Sequence, residues 1–271
     1  MNPLFPIGLA AVIISATPAH SAIPLAPAGP WTVEYADSMC LLSRAFGTGD
    51  DKVTLGFRPG PMSEHMRVVV LKQDSSTRVE RGKAVYRFDD RPPADAPFVS
   101  GPVKGKGVRI VAIDVKRSDL AALSSAKQVL IKAGGVEATL APRGVSAAMK
   151  ALIACENDLL VVWGMDPAAV ASIGTHPRAK GSGVMGFFTT EDYPNEASRR
   201  EEQGTVGFRF LVGVDGRVSD CRIIETSGSE ILDQQTCKIA LKRFQFESAR
   251  THDGQAIASL GFSRVRWVLP D

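Results

Sequence analysis

Hydrophobic and polar positions alternate most regularly in the last third of this chain. From Thr205 to Val214 every second residue is apolar, which predicts a strand with one face on a core. Asp215-Gly216 follows, and both residue types tolerate the positive φ of a tight hairpin turn. A second strand then places Cys221 and Ile223 on one face. The pattern therefore predicts a strand hairpin.

A helix and a last strand complete this pattern. Ser227-Gly228-Ser229 ends the second strand, and Ser229 is the predicted N-cap of the helix. One apolar stripe of the helix, at spacing i, i+3, i+4 and i+7, consists of Cys237, Ala240, Leu241 and Phe244. The last strand is expected from about Ala256 to Val268. We predict that the stripe packs on the sheet, which brings Cys237 within reach of Cys221.

This order of elements, over residues 191–271, resembles the C-terminal domain of the TonB family, the periplasmic energy transducers of Gram-negative bacteria. The residues that carry the resemblance are Tyr193-Pro194, Ala197, Gly204, Val206, Phe210, Val212, Asp215-Gly216, Val218, Gly228, Leu232-Asp233, Phe244, Phe246 and Gly254. The resemblance implies a small antiparallel sheet packed on a helix. It also implies that the last strand pairs with a peptide of an outer-membrane transporter, and that a proton-driven motor in the inner membrane completes the system.

The first half of the chain is dominated by strand patterns. Short alternating runs recur between Trp31 and Gly164, and Gly134-Gly135 separates two of them in a hairpin signal. Helical patterns occur near 119–124 and from about Val145 to Asn157. The fold class is therefore α+β, with a β-rich domain over residues 30–164 for which a sandwich is one candidate arrangement.

Glycine and proline mark a boundary between the two halves. Residues 165–190 contain Gly181-Ser182-Gly183 and several further glycines and prolines, so we interpret this stretch as a linker. Gly181 to Gly186 formally spells GxGxxG, but no strand precedes it and no helix follows. A dinucleotide loop requires that context, so the linker interpretation is favoured.

The first 21 residues have the features of an export signal. Ile7 to Ala16 is an uncharged apolar run, and Ala19-His20-Ser21 provides the small residues of a cleavage site. An uncleaved membrane anchor is the alternative, but the run is shorter than the ~20 residues a spanning helix needs. We therefore expect a periplasmic protein that begins near Ala22 after cleavage.

The cysteines agree with export. Their number, four, is even, and none has the CxxC spacing of a metal or redox site. Three pairings are conceivable. Locality within each predicted domain favours Cys40–Cys155 and Cys221–Cys237, whereas four buried free thiols would be unusual in an exported protein.

Composition and motifs give no indication of an enzyme or a nucleic-acid binder. The net charge is +3 and the basic residues form no block, which argues against nucleic acid. The histidines lack the partners of a zinc site, and the paired carboxylates Asp50-Asp51 and Asp89-Asp90 lie in polar turns. We predict no catalytic residue, metal or cofactor; a hydrolase in the first domain is the weakest alternative.

The favoured function is therefore an exported, TonB-like partner-binding module for outer-membrane transport. An extended peptide would pair with the exposed edge of the last strand, where the predicted partner-binding residues are Ile257, Ser259, Gly261, Ser263 and Val265. The expected partner is a transporter peptide or another envelope protein, and homodimerisation through this edge is a further option. The alternative function is an envelope structural or interaction protein with no transporter role.

Overall fold

The computed structural model describes residues 23–36, 39–60 and 62–269. Its elements surround two separate apolar cores, and the fold is α+β as the sequence predicts. The first core extends from Cys40 to Leu159, and the second from Ala197 to Trp267. We call the parts around these cores the first and the second unit. The proposed export signal lies outside the described residues.

The first unit is a single antiparallel sheet. Its spatial strand order is β1-β2-β3-β4-β7-β6-β5-β8-β9. These strands are β1 (Thr32–Ala36), β2 (Met39–Phe46), β3 (Val53–Pro59), β4 (His65–Gln73), β5 (Glu80–Phe88), β6 (Ala94–Val103), β7 (Val108–Lys116), β8 (Val129–Ala133) and β9 (Val136–Leu140). Inward residues such as Leu55, Val70 and Ile113 alternate with exposed or half-buried ones, so one face of the sheet encloses the core.

A short segment at the start of the described chain draws distant parts of this sheet together. Leu25 forms a parallel bridge with Leu140 of β9, and Pro27 forms an antiparallel bridge with Phe46 of β2. The sandwich of two sheets considered from the sequence is therefore not the arrangement observed. The ladder is continuous from β1 to β9, and by curling it covers its own apolar face without a second sheet.

Two helices follow strands of the first unit, α1 (Arg117–Leu120) and α2 (Val145–Val162). Helix α2 packs on β1 and β2, and its residues Leu152 and Cys155 are fully buried. Cys155 is disulfide-bonded to Cys40 of β2, with a Cα–Cα distance of 6.1 Å. The disulfide therefore fixes the helix to the sheet in the pairing that the sequence favours.

The segment predicted as a linker contains regular structure. It forms α3 (Pro167–Ala171), β10 (Ile173–Thr175) and β11 (Arg178–Ala179). Asp166 caps α3 by accepting a hydrogen bond from the backbone N–H of Ala168 at 3.0 Å. Residues 180–186, after β11, retain the exposed Gly/Ser composition expected of a connection.

The second unit has the predicted sequence of hairpin, helix and final strand. Its elements are α4 (Asn195–Arg199), β12 (Gly204–Val212), β13 (Val218–Glu225), α5 (Glu230–Arg243), β14 (Phe246–Glu247), β15 (Ala249–Thr251), β16 (Ala256–Ile257) and β17 (Ser259–Trp267). Strand β12 is central in a sheet of order β13-β12-β17, and α5 packs against β12 and β13. Strands β10 and β11 pair with β15 and β14, so the predicted linker adds strands to this unit.

Helix α5 begins where the sequence places its N-cap. The hydroxyl of Ser229 accepts a hydrogen bond from the backbone N–H of Leu232 at 3.3 Å. Leu241, predicted on the apolar stripe, is instead 48% exposed. The buried face of α5 runs through Leu232, Thr236 and Ala240. Cys237 lies at the margin of this face, beside β13. Because a helical turn has 3.6 residues, Leu241, four residues later, is rotated a further ~40° and points away from the sheet.

Candidate partner-binding edge

The last strand lies at one edge of the sheet in the second unit. Within the described ranges, β17 pairs only with β12, over a register from Gly204↔Trp267 to Val212↔Ser259. The indole N–H of Trp267 donates a buried hydrogen bond to Thr236 Oγ1 of α5 at 2.9 Å. One end of β17 is thus fixed to the helix, and its outer edge is left for another strand.

The backbone direction of β17 can be determined from two hydrogen bonds. The N–H of Gly213, next to β12, donates to the Arg217 carbonyl beside β13, so odd-numbered residues of β12 face β13 and even-numbered ones face β17. In agreement, the N–H of Leu260 points away from β12 and donates to Met62 Sδ at 3.0 Å. Even-numbered residues of β17 therefore present their backbone groups to the outer edge.

The structure places the residues predicted for partner binding largely against the core. Ser259 is fully buried and its hydroxyl has no hydrogen-bond partner among the described residues, and Val265 is 4% exposed. A Cβ atom on Gly261 would lie 2.3 Å from the ring of Phe210, so only glycine fits there. Four of the five predicted residues lie on β17, are odd-numbered, and use their backbone groups to pair with β12.

The remaining two members of the predicted set are half-buried. Ile257 belongs to β16 and pairs with Ala249 of β15, so it lies in a different sheet from the other four. Ser263 is half-buried and lines a cavity at the junction of the two units. Sequence periodicity identified the strand, but it could not show which alternate residues face outward, because both sets contain small and apolar residues.

The outer edge of β17 differs along its length. At Leu260 it contacts the first unit through Met62, and Phe262 packs on Trp163 with ring centroids 5.6 Å apart. Towards its end, Arg264 and Arg266 are exposed. A groove of about 470 Å³ lies beside this end and is lined by Thr189, Tyr193 and residues 265–269, among others. The open part of the edge is thus the stretch around Arg266.

One wall of this groove is held by a buried carboxylate. Asp192 is 6% exposed, and its Oδ2 accepts hydrogen bonds from the Thr189 backbone N–H at 2.7 Å and from Arg243 of α5 at 2.6 Å. Burial alone would raise the pKa of Asp192, but the bonds from Arg243 and Thr189 outweigh it and the pKa is lowered. The ionised carboxylate therefore ties the segment before α4 to the helix.

A second disulfide fixes the opposite edge of the sheet. Cys221 of β13 is bonded to Cys237 of α5, with a Cα–Cα distance of 5.5 Å. Both cysteine pairs thus occur as the sequence analysis favours, and no described cysteine is free. The covalent constraint therefore lies on β13, at the edge of the sheet opposite β17.

Asp89, one of the paired carboxylates considered for catalysis, has a structural role. Asp89 accepts backbone hydrogen bonds from Lys127 and Gln128, both at 2.9 Å, which fixes the loop before β8. Over the residues that the structure describes, no three His, Cys, Asp or Glu side chains converge as a potential metal site. In the same residues, no helix has both the length and the apolar character required to cross a bilayer.

Comparisons with known proteins assign only the second unit. Residues 190–269 match the family model described as the Gram-negative bacterial TonB protein C-terminal. The solution NMR structure of the Pseudomonas aeruginosa TonB CTD is similar at 24% sequence identity, over 29% of this chain and 78% of that chain, with a TM-score of 0.25. No curated protein matches the chain. The part of this chain over residues 190–269, with its edge strand β17, is thus a TonB C-terminal segment.

Proposed function

We propose that this protein is an exported, TonB-like partner-binding protein without enzymatic activity, and that the outer edge of β17 captures an extended peptide. The observation that carries the proposal is the position of β17 at the edge of a TonB C-terminal segment, with the backbone of Arg264 and Arg266 facing outward. Its partner would be a peptide of an outer-membrane transporter or of another envelope protein. Coupling to an inner-membrane motor is part of the same proposal.

Backbone pairing would supply the affinity, and the flanking groove would supply selectivity. Each main-chain hydrogen bond contributes about 1 kcal/mol net, so pairing along a short edge gives a modest affinity by itself. A peptide side chain lying in the groove beside Tyr193 and Val268 would add apolar contact. A short peptide is therefore expected to bind weakly and reversibly.

The test removes one outward N–H while leaving the core in place. Arg266→Pro deletes the backbone N–H of an exposed residue, and Arg266→Ala removes the same side chain but retains that N–H. Transporter-derived peptides would be titrated into the chain from Ala22 onwards, with amide NMR shifts as the measurement. We expect shifts along 264–268 for the wild type and for R266A, and none for R266P.

Two results would contradict the edge proposal. One is equal binding by R266A and R266P, since the outward N–H would then be irrelevant. The other is the absence of any shift along 264–268 at millimolar peptide. A proline at Gly261, in contrast, would remove an N–H that pairs with β12, so it would disrupt the sheet instead of testing the edge.

Export by a cleaved signal is a separate part of the proposal. The signal interpretation of residues 1–21 predicts a mature protein in the periplasm that begins near Ala22. Intact-mass measurement of the protein from a bacterial envelope fraction tests this directly. A mass that retains the first 21 residues would instead support a membrane anchor and a direct link to a motor.

A second candidate function is an envelope interaction protein with no transporter role. The contacts of Leu260 with Met62 and of Phe262 with Trp163 favour it, because the first unit already occupies part of the edge. Under this alternative, transporter peptides would leave the spectrum unchanged. A self-association that is weakened by R266P but not by R266A would then identify a second copy as the occupant of the edge.

A further inference from the structure

A cleft of about 350 Å³ lies where the two units meet and adjoins β17 at residues 262–264, before the open stretch around Arg266. Arg58, His65 and Arg67 line it from the first unit, and Phe262 and Arg264 line it from the second. Its floor is the outer face of the sheet in the second unit, opposite helix α5. The guanidinium groups of Arg58, Arg67 and Arg264 therefore line one partly open cleft, two from the first unit and one from the second.

The positive charges in this cleft are not fully compensated. Arg67 is paired with Asp114 at 3.0 Å, and Arg264 is paired with Glu225 at 2.6 Å. For half-buried Arg58, the described residues provide neither an ion pair nor a side-chain hydrogen bond. Burial lowers the pKa of Arg58 most, the neighbouring cations Arg264 and Arg67 lower it further, and the carboxylate of Glu225 offsets them only in part.

Nearby carboxylates are engaged elsewhere. Glu225 lies across Gly207 from Arg264, and the missing side chain at Gly207 is what allows these two to meet. Glu64 is 68% exposed and lies 3.8 Å from His176, beside a neighbouring cavity of about 480 Å³. Neither carboxylate is paired with Arg58.

The hydroxyl of Ser63 is a second potential hydrogen-bond donor in this cleft, and Arg117 supports the backbone beside it. Arg117 donates to the carbonyl of Ser63 at 2.8 Å and to that of Gly60 at 3.1 Å, and buried Glu156 accepts from Arg117 at 3.0 Å. The hydroxyl of Ser63 accepts from the His65 backbone N–H at 3.1 Å, which leaves its own proton available to a ligand. The backbone carbonyls of Gly60 and Ser63 are thereby held in place without a ligand.

We propose that this cleft binds an oxyanion, either a carboxylate or a phosphate group, with Arg58 as the principal cation and Ser63 as a second donor. A guanidinium matches the geometry of both oxyanions, and a partly enclosed site strengthens the pairing. The ligand would be either a small free anion or an acidic side chain of a partner. This proposal does not depend on the function proposed for the β17 edge.

The first test is a titration of the chain from Ala22 onwards with inorganic phosphate, at low and at high ionic strength. Arg58→Gln removes the uncompensated charge, and Arg81→Gln is the matched control on an exposed position of β5. We expect R58Q to weaken phosphate binding at least about tenfold, or ~1.4 kcal/mol, and R81Q to leave it unchanged. Added salt should weaken wild-type binding.

A second arm distinguishes the two sources of the anion. A capped peptide with one aspartate is compared with the same peptide carrying asparagine, against the wild type and R58Q. Tighter binding of the aspartate peptide, lost in R58Q, supports a partner's side chain as the ligand. Phosphate binding that is lost in R58Q, without such a preference, supports a small free anion.

The inference is overturned if neither anion binds, or if R58Q and R81Q bind both anions as the wild type does. If R58Q does not fold, Arg58→Lys takes its place, because it keeps the charge but cannot form the two-pronged guanidinium pair with an oxyanion. Binding by this folded variant as tight as that of the wild type would also refute the site.

Discussion

The buried carboxylate of Asp192 allows a quantitative test of how the second unit is assembled. The substitution Asp192→Asn preserves the shape of the side chain but removes its charge. The ion pair with Arg243 and the two bonds from Thr189, at 2.7 and 3.1 Å, then lose their charge-assisted character. The wall of the groove beside β17 would be weakened.

The expected loss is about 2 kcal/mol in the free energy of unfolding at neutral pH. Hydrogen bonds to charged groups contribute ~1.5–3 kcal/mol each in favourable cases. A lower total is expected here because Asn still accepts one bond, and because Arg243 is 40% exposed and its ion pair is screened by solvent. Urea denaturation followed by circular dichroism, with the disulfides intact, measures this difference.

The pH dependence identifies the charge as the cause. The pKa of Asp192 is lowered in the folded state, whereas it is near 3.9 in an unfolded chain. Its stabilisation is therefore fully present above about pH 4 and is lost as the pH falls through the folded pKa. The difference between wild type and D192N should therefore shrink progressively as the pH is lowered below about 4.

A double-mutant cycle with Arg243→Gln provides the control. If the two side chains act together, the double variant should be less destabilised than the sum of the single variants, with a coupling of ~0.5–1 kcal/mol. A variant D192N as stable as the wild type at pH 7 would refute this reasoning. So would a loss of stability that does not diminish as the pH is lowered from about 4 to about 2, since the contribution of an ionised carboxylate must decline below its unfolded pKa.

Three further predictions address the second unit and its boundary. Replacing Cys221 and Cys237 together by Ser should destabilise the unit by about 3 kcal/mol in the chain-entropy account, measured by urea denaturation, and an unchanged midpoint would contradict this. Gly216→Ala should abolish or strongly reduce soluble, folded protein, because a Cβ atom there would lie 2.0 Å from the Phe246 carbonyl oxygen at a φ of +79°; a wild-type melting temperature would disprove it. Limited proteolysis should first cleave within residues 180–186, and the fragments should stay together because β10 and β11 pair with β15 and β14; first cuts inside β7 or β12 would show that the boundary is misplaced.

The sequence by itself determined the local elements and their order. The alternation from Thr205 to Val214, the Asp215-Gly216 turn and the Ser229 cap depend on neighbouring residues, so they can be read without the tertiary structure. Hairpin β8–β9 around Gly134-Gly135 was predicted for the same reason. The pairing of cysteines also followed, because each pair is confined to one of the two predicted domains.

Only the tertiary structure decided how these elements combine. The curled sheet depends on contacts such as Leu25 with Leu140, whose separation along the chain leaves no local pattern. The pairing of β10 with β15 and of β11 with β14 could not be predicted for the same reason, because the partner strands lie far apart in the sequence. A composition rich in glycine and proline indicates a connection, but it does not exclude short strands whose partners lie elsewhere.

The candidate site shows the same division. Periodicity identified β17, but its outward residues are set by the register with β12, which aligns Gly261 with Phe210 and turns the odd-numbered side chains to the core. The contacts of this strand with Met62 and Trp163 arise from the meeting of two separately formed cores. Local sequence therefore specified a strand with an edge, and long-range packing decided which backbone groups that edge offers.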